Sequence, residues 1–192
     1  MSASLKLAEK ECWTYKDCLQ WPDDYRAEII DGEVYEMPAP TTKHQAIVMN
    51  MSAIIWTFLR DKPEKGKVYP APFGVRLWPK TDYSDAVYFE PDIVVMCDRA
   101  KLGEKGCEGA PDMVVEILSP SSASKDMVLK FRKYAQAGVR EYWIIDPDRS
   151  TIQVCLLENG GYKVAAYEET DTVPVTILPG LEIKMPEVFS EE

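Results

Sequence analysis

DMVVEILSPSSASKDMVLKFRKYAQAGVREYWIID, residues 112–146, decides the fold. It opens on a short apolar run that reads as a strand, with Glu116 between Val115 and Ile117. SPSSAS supplies turn and N-cap residues, and Gly138 is a good C-terminal stop for the helix between them. EYWIID is a second apolar strand. Strand, helix, strand in that order predicts an α/β crossover inside a mixed sheet. At about 100° per residue, Met127, Val128, Phe131, Tyr134 and Ala135 form one apolar stripe on the helix. Lys130 lies on the flank of that stripe, about 40° from Tyr134. Lys125 and Lys133 point away from it.

Working outward, FEPDIVVMC is a neighbouring strand with Asp92 at its start. Upstream, YRAEIIDGEVYEM reads as two strands joined at Asp31-Gly32, a pair suited to a tight turn because both residues accept positive φ. TYKDCLQ, residues 14–20, predicts a short helix. KHQAIVMNMSAIIWTFLR predicts a long one, apolar on more than one face and therefore well buried. KVYPAPFGVRLW is a strand with a proline irregularity, residues 79–87 a polar loop, and DRAKLGEKGCEGAP a mobile Gly- and charge-rich loop. Beyond residue 150, TIQVCLLE and YKVAAYE are strands around an NGG turn, and TVPVTILPGLEIKM alternates short strands with turns. The whole predicts one mixed α/β (α+β) domain over residues 1–192, with a core about 24–150 and a C-terminal β extension about 151–188.

Composition narrows the function. A chain of 192 residues that is 46% hydrophobic can close a sizeable core and is not a disordered protein. MSASLKLAEKECW lacks the apolar run of a signal peptide and no stretch approaches a membrane span, so a cytoplasmic protein is expected. Five cysteines without C-x-x-C spacing predict free thiols rather than structural zinc, and a single histidine excludes multi-histidine metal sites. A net charge of −10 argues against a nucleic-acid coat protein, though not against an enzyme that meets phosphate through one local patch. Lys125, Lys130, Arg132, Lys133 and Arg140 supply either such a patch or a solvated helix face.

Asp92 and Glu116 carry the chemistry. A carboxylate inside a run of Val, Ile and Met costs several kcal/mol to desolvate, on the order of 3–5, unless it is paired or metal-bound. Acids converging from two paired strands offer hard oxygen donors suited to Mg²⁺ or Mn²⁺, with the Ile117 carbonyl as a further ligand. Lys130 is the helix lysine best able to reach inward. Two acids and a lysine are what metal-assisted phosphodiester hydrolysis needs. The alternative places Asp92 at a strand end in water and Lys130 snorkelling at a core boundary.

These segments also resemble a known family. EPDIVVMC, GAPDMVVEILSPSS and KDMVLKFRKYAQAGVREYWIIDP, together with YRAEIIDGEVYEMPAP, KHQ and VYPAPFGVRL upstream, are similar to the Uma-two family of putative restriction endonucleases in the PD-(D/E)XK nuclease superfamily. The resemblance implies a restriction-endonuclease-like core, a central mixed sheet flanked by helices, and a metal-dependent nuclease site. Pro91-Asp92 matches the PD element and Glu116 the second acid. The superfamily's usual lysine position holds Leu118 instead, and the family's lysine on the following helix is matched by Lys130, with Tyr134 one turn on. Glu28 falls in a matching segment as a third acid for metal, or alternatively as an exposed residue paired with Arg26 or Lys43. His44, near a helix start, suits phosphate binding or proton relay, although a lone histidine is more often a cap or surface residue.

The resulting expectation is a Mg²⁺-dependent DNA endonuclease. Asp92, Glu116 and the Ile117 carbonyl would hold metal, Lys130 would orient water or neutralise charge, and Tyr134 would position Lys130 or a phosphate oxygen. Arg76, Lys125 and Lys133 are candidates for backbone contacts. A homodimer is expected, since double-strand cleavage favours twofold symmetry and the apolar C-terminal strands can pair. The rivals are an inactive nuclease-fold binding or assembly module and a small phosphate-ester hydrolase. Pro111-Asp112 is a decoy, on the same strand as Glu116. Ser122-Ala123-Ser124-Lys125 lacks the partner motifs of penicillin-recognising enzymes, and Gly103-Glu104-Lys105-Gly106 has acidic neighbours that disfavour phosphate.

Overall fold

The computed structural model describes residues 10–22, 24–62, 64–119 and 125–190, and the side chains of the helix that begins at Lys125 from Val128 onward. In chain order, helix α1 (Tyr15–Cys18) precedes a hairpin of β1 (Ala27–Ile30) and β2 (Glu33–Glu36), and the long helix α2 (Thr42–Leu59) follows. Strands β3 (Lys67–Pro70), β4 (Gly74–Arg76), β5 (Ile93–Met96), β6 (Leu102–Gly103), β7 (Gly106–Glu108) and β8 (Met113–Ile117) lead to helix α3 (Lys125–Ala137). Then come β9 (Glu141–Asp146), β10 (Thr151–Glu158), β11 (Gly161–Tyr167), β12 (Thr172–Pro174), β13 (Glu182–Lys184) and a short helix α4 (Met185–Phe189).

Six strands form the central sheet in the order β11-β10-β9-β8-β5-β3. β8 and β9 run parallel, as the α3 crossover between them requires, and the other pairs in the sheet are antiparallel. Alternation along the strands sends Ile93, Val95, Met113, Val115, Trp143 and Ile145 to one face, where they pack with Ile47, Met51 and Ile55 of α2 and Met185 of α4. Val94, Val114, Tyr142 and Ile144 face the other way and meet Tyr134 of α3 and Phe89. The β1–β2 hairpin docks through a bridge between Ile29 and Tyr88. Its turn has Asp31 at φ 52° and Gly32 at φ 87°, so both central residues adopt the left-handed conformation that a two-residue hairpin turn demands.

Four expectations change. α2 buries a single stripe, Ile47, Val48, Met51, Ile55 and Leu59. Its second apolar face stays open, with Met49 65% and Trp56 53% exposed, because one sheet face covers one side of a helix. On α3, Val128 is 51% exposed, whereas Lys130 and Tyr134 are buried. The inward face is therefore rotated toward Lys130, whose charge is matched by acids from the strands. The segment expected as a mobile loop folds into a 3₁₀ turn (Arg99–Lys101) and the β6–β7 hairpin, and β7 pairs in parallel with β4. Gly106, at φ 148°, is required there, because any Cβ would collide with the Gly74 carbonyl. Helix α4 has no counterpart in the sequence reading.

Candidate active site

The register of β5 on β8, with Ile93 opposite Val115, carries Asp92 to the level of Glu116. The Ile117 N–H donates to Asp92 Oδ2 at 2.7 Å, and His44 Nε2 lies 3.2 Å from Asp92 Oδ1. His44 reaches it from the first turn of α2, where its own N–H is capped by the Thr41 hydroxyl at 3.1 Å. Glu116 Oε1 accepts from Lys130 Nζ at 3.0 Å and from the Tyr134 hydroxyl at 2.8 Å. One helical turn separates these two donors, so α3 presents both to a single oxygen.

Glu28 enters from β1. Its Oε1 accepts from Lys130 Nζ at 2.8 Å and from the Glu90 N–H at 3.0 Å, and its Oε2 is 2.7 Å from the same ammonium. This placement overturns the alternative of an exposed residue paired with Arg26 or Lys43. Glu28 is 5% exposed and serves as the counter-ion of Lys130, while Arg26 pairs with Glu90 at 2.9 Å. The Phe89 ring lies 5.6 Å from Lys130 Nζ and backs the cation.

Burial pushes the Glu116 carboxyl up to about 7, with repulsion from Glu28 and Asp92 adding to it and the Lys130 ammonium opposing it. Burial by itself lowers a lysine, but Glu116 and Glu28 outweigh it and hold Lys130 above its ordinary value. Burial, then the Glu116 and Glu28 charges, raise Tyr134 well above the usual phenol range, so it stays a donor. A cleft of about 300 Å³ is lined by Glu28, His44, Asp92, Glu116 and Lys130, with Tyr134 buried behind it.

Among the described residues, no three His, Cys, Asp or Glu side chains gather to hold a metal ion. The donor chemistry nevertheless suits one. Asp92 and Glu116 are two hard carboxylates close enough to repel, and that repulsion is relieved by a divalent cation. Ile117 also lines the cleft.

Other residues singled out from the sequence lie elsewhere. Arg76 is buried beside β7, bound to Asp85 at 2.7 and 3.1 Å and to Glu108 at 3.0 Å, with its guanidinium over the Tyr15 and Tyr83 rings. It holds the fold together and does not line the cleft. Lys133 pairs with Asp31 beside Trp78. The Lys125 side chain and the Ser122–Ser124 segment lie outside the described residues. Pro111-Asp112 is structural, with Asp112 accepting from Arg140 at 2.6 Å. Among the lining residues that the sequence reading did not single out is Tyr35, directly opposite Glu28 in the hairpin. A two-residue turn at Asp31-Gly32 already dictates that pairing.

A family model described as "Putative restriction endonuclease" matches residues 15–186. The chain belongs to the Uma2 family. Two Synechocystis proteins are similar to it. Uncharacterized protein sll1609 is 26% identical over 63% of this chain and 66% of its own length, a little under two thirds. Uncharacterized protein slr1290 is 24% identical over 81% and 80%. A crystal structure of a putative nuclease belonging to DUF820 from Anabaena variabilis superposes with a TM-score of 0.74, at 23% identity, over 92% of this chain and 97% of that one. The Uma2 chain thus has a nuclease-like, restriction-endonuclease-type fold, with a central mixed sheet flanked by helices. Among the described residues, no helix is long and apolar enough to cross a membrane.

Proposed function

We propose that this Uma2 protein is a Mg²⁺- or Mn²⁺-dependent nuclease that hydrolyses phosphodiester bonds of DNA. One observation carries the reading: a lysine that is 8% exposed delivers its ammonium to Glu116, beside Asp92, at the base of an open cleft. Leu118 leaves the strand without its lysine, and α3 supplies the cation from the other side.

Asp92 and Glu116, with the Ile117 carbonyl, would hold the ion, which supplies Lewis acidity and a more acidic bound water. The chain's own groups do the rest. Lys130 places a fixed positive charge where a phosphoryl group accumulates negative charge, and in a half-dry cleft that charge acts strongly. Glu28 anchors the ammonium, so little reorganisation is needed as charge develops. Tyr134 holds Glu116 in one orientation through its hydroxyl. His44 and the Ile117 N–H together orient Asp92.

The test is cleavage of plasmid DNA in Mg²⁺ by purified Asp92→Ala and Glu116→Ala. Both variants are expected to lose cleavage while circular dichroism shows a retained fold. Unchanged cleavage by either would contradict the assignment. The net charge of −10 favours the competing reading, a nuclease fold kept as an assembly module. Mn²⁺ calorimetry separates the two, because a scaffold has no reason to bind metal through Glu116.

A further inference from the structure

Tyr142 stands on β9 opposite Val114, which lies two residues before Glu116 on the neighbouring β8. Its ring and the Glu116 carboxylate therefore rise from the same face of the sheet. The ring is fully buried, packed edge-on against Tyr134 at 5.0 Å and beside Tyr162 at 6.1 Å. Phenylalanine would fill that space equally well, so aromatic packing does not account for the hydroxyl.

Hydrogen bonding within the fold does not account for it either. Among the described residues, four buried side-chain polar atoms have no hydrogen-bond partner: Trp21 Nε1, His44 Nδ1, Ser52 Oγ and the Tyr142 hydroxyl. Trp21 and Ser52 do not line the cleft, whereas His44 and Tyr142 do. His44 is engaged with Asp92 through its other nitrogen. The Tyr142 side chain has no other polar atom to engage. Its neighbours differ: Tyr134 donates to Glu116 at 2.8 Å, and Tyr162 to the Val139 carbonyl at 2.9 Å. A buried hydroxyl without a partner loses its hydration and gains nothing, so the empty protein is less stable with tyrosine here than with phenylalanine. A ligand that accepts from the hydroxyl reverses that balance.

The acceptor can be named by its chemistry. Burial first, then the Glu116 charge, holds the Tyr142 phenol well above its usual range, so the hydroxyl keeps its proton and donates. Lys130 and Tyr134 already donate to Glu116, and the Tyr142 hydroxyl is unspent. Because the residue is 0% exposed, only a small group at the bottom of the cleft can meet it. A single phosphoryl oxygen is such a group.

We propose that Tyr142 is a further catalytic residue: its hydroxyl donates to a non-bridging oxygen of the scissile phosphodiester, on the Glu116 side of the cleft floor. This rests on the hydrolytic reading above. A neutral donor fixed in a dry site before the substrate arrives stabilises the charge that grows on that oxygen, with little to reorganise.

The experiment compares Tyr142→Phe with the wild-type chain in two measurements: Tm without metal or DNA, and kcat for cleavage of plasmid DNA in Mg²⁺. Tyr162→Phe deletes a hydroxyl bonded within the fold and is the structural control, while Glu116→Gln reports contaminating nuclease. A Tm equal to or above that of wild type, with kcat at least about tenfold lower, supports the inference. Tyr162→Phe should do the reverse, losing about 2–4 °C for one hydrogen bond in a chain of this size and keeping its kcat. Unchanged kcat in Tyr142→Phe overturns the proposal and leaves the nuclease reading standing. A Tm lowered as far as in Tyr162→Phe also overturns it, because the hydroxyl would then be satisfied in the empty protein. So does an equal fall of kcat in both variants, since the loss would then follow the aromatic cluster rather than the hydroxyl beside Glu116. No Glu116-dependent cleavage by the wild-type chain overturns both readings.

Discussion

Lys130 is held by Glu28 on one side and Glu116 on the other, and stability depends on this arrangement. Removing the cation strands two buried acids. Lys130→Met is therefore expected to lose about 3–5 kcal/mol in urea denaturation near pH 8. The loss should shrink toward pH 4.5, where Glu116 relieves itself by taking up a proton. Glu116 titrates near 7 in the folded protein, against 4.5 ordinarily. Between those values the native state binds more protons than the unfolded chain, so this group's stabilising contribution is complete below about pH 4.5 and is lost as pH rises through about 7. In metal-free protein, Glu116→Gln should flatten that part of the profile of Tm against pH, and an unchanged slope would contradict the assigned environment. At this scale much of the candidate site was legible. Asp92 and Glu116 stand in apolar strands and Lys130 on the flank of an apolar helix stripe, the family resemblance adds Tyr134, Glu28 and His44, and the six come together. Arg76 and Lys133 were misplaced because a basic residue looks the same in sequence whether it faces phosphate or a structural carboxylate.

At the scale of elements, local periodicity and punctuation were reliable guides where they were strong. The β8–α3–β9 crossover, the Asp31-Gly32 hairpin and the long α2 follow from alternation, helical spacing and turn chemistry. The β6–β7 hairpin and α4 did not. Strands of two and three residues with glycine at their ends carry no alternation to detect, and a five-residue helix shows little more than one turn. The face of α3 was misjudged for a different reason: an apolar stripe ranks Val128 above Lys130, whereas the acids on β1 and β8 reverse that order. The start of α2 permits a direct test. Thr41 caps the N–H of His44, so Thr41→Ala should cost about 1 kcal/mol in thermal or chemical denaturation. An effect below a few tenths would mean that the hydroxyl bond contributes little.

For the whole molecule, β1, β2, α2, β8 and α3, with Asp92 just before β5, bring side chains to one cleft. Their convergence sets two carboxylates against each other, and on the proposed reading a divalent ion would relieve that repulsion. Mn²⁺ at a hundred times its dissociation constant should stabilise the folded state by about 2.7 kcal/mol through mass action, read as a rise in Tm. Asp92→Asn should abolish most of that rise, and an equal rise in the variant would place the ion elsewhere. By itself the sequence determined the kinds of element, the parallel crossover and the two acids on neighbouring strands, because these depend on short-range periodicity and on the cost of leaving a carboxylate among Val and Ile. Only the tertiary structure decided that Glu28 neutralises Lys130, that His44 braces Asp92, that Arg76 belongs to another part of the fold, and that Tyr35 walls the cleft. Those outcomes turn on how the hairpin and α2 pack against the sheet, and pairing between buried charges far apart in the chain leaves no periodic mark in the sequence.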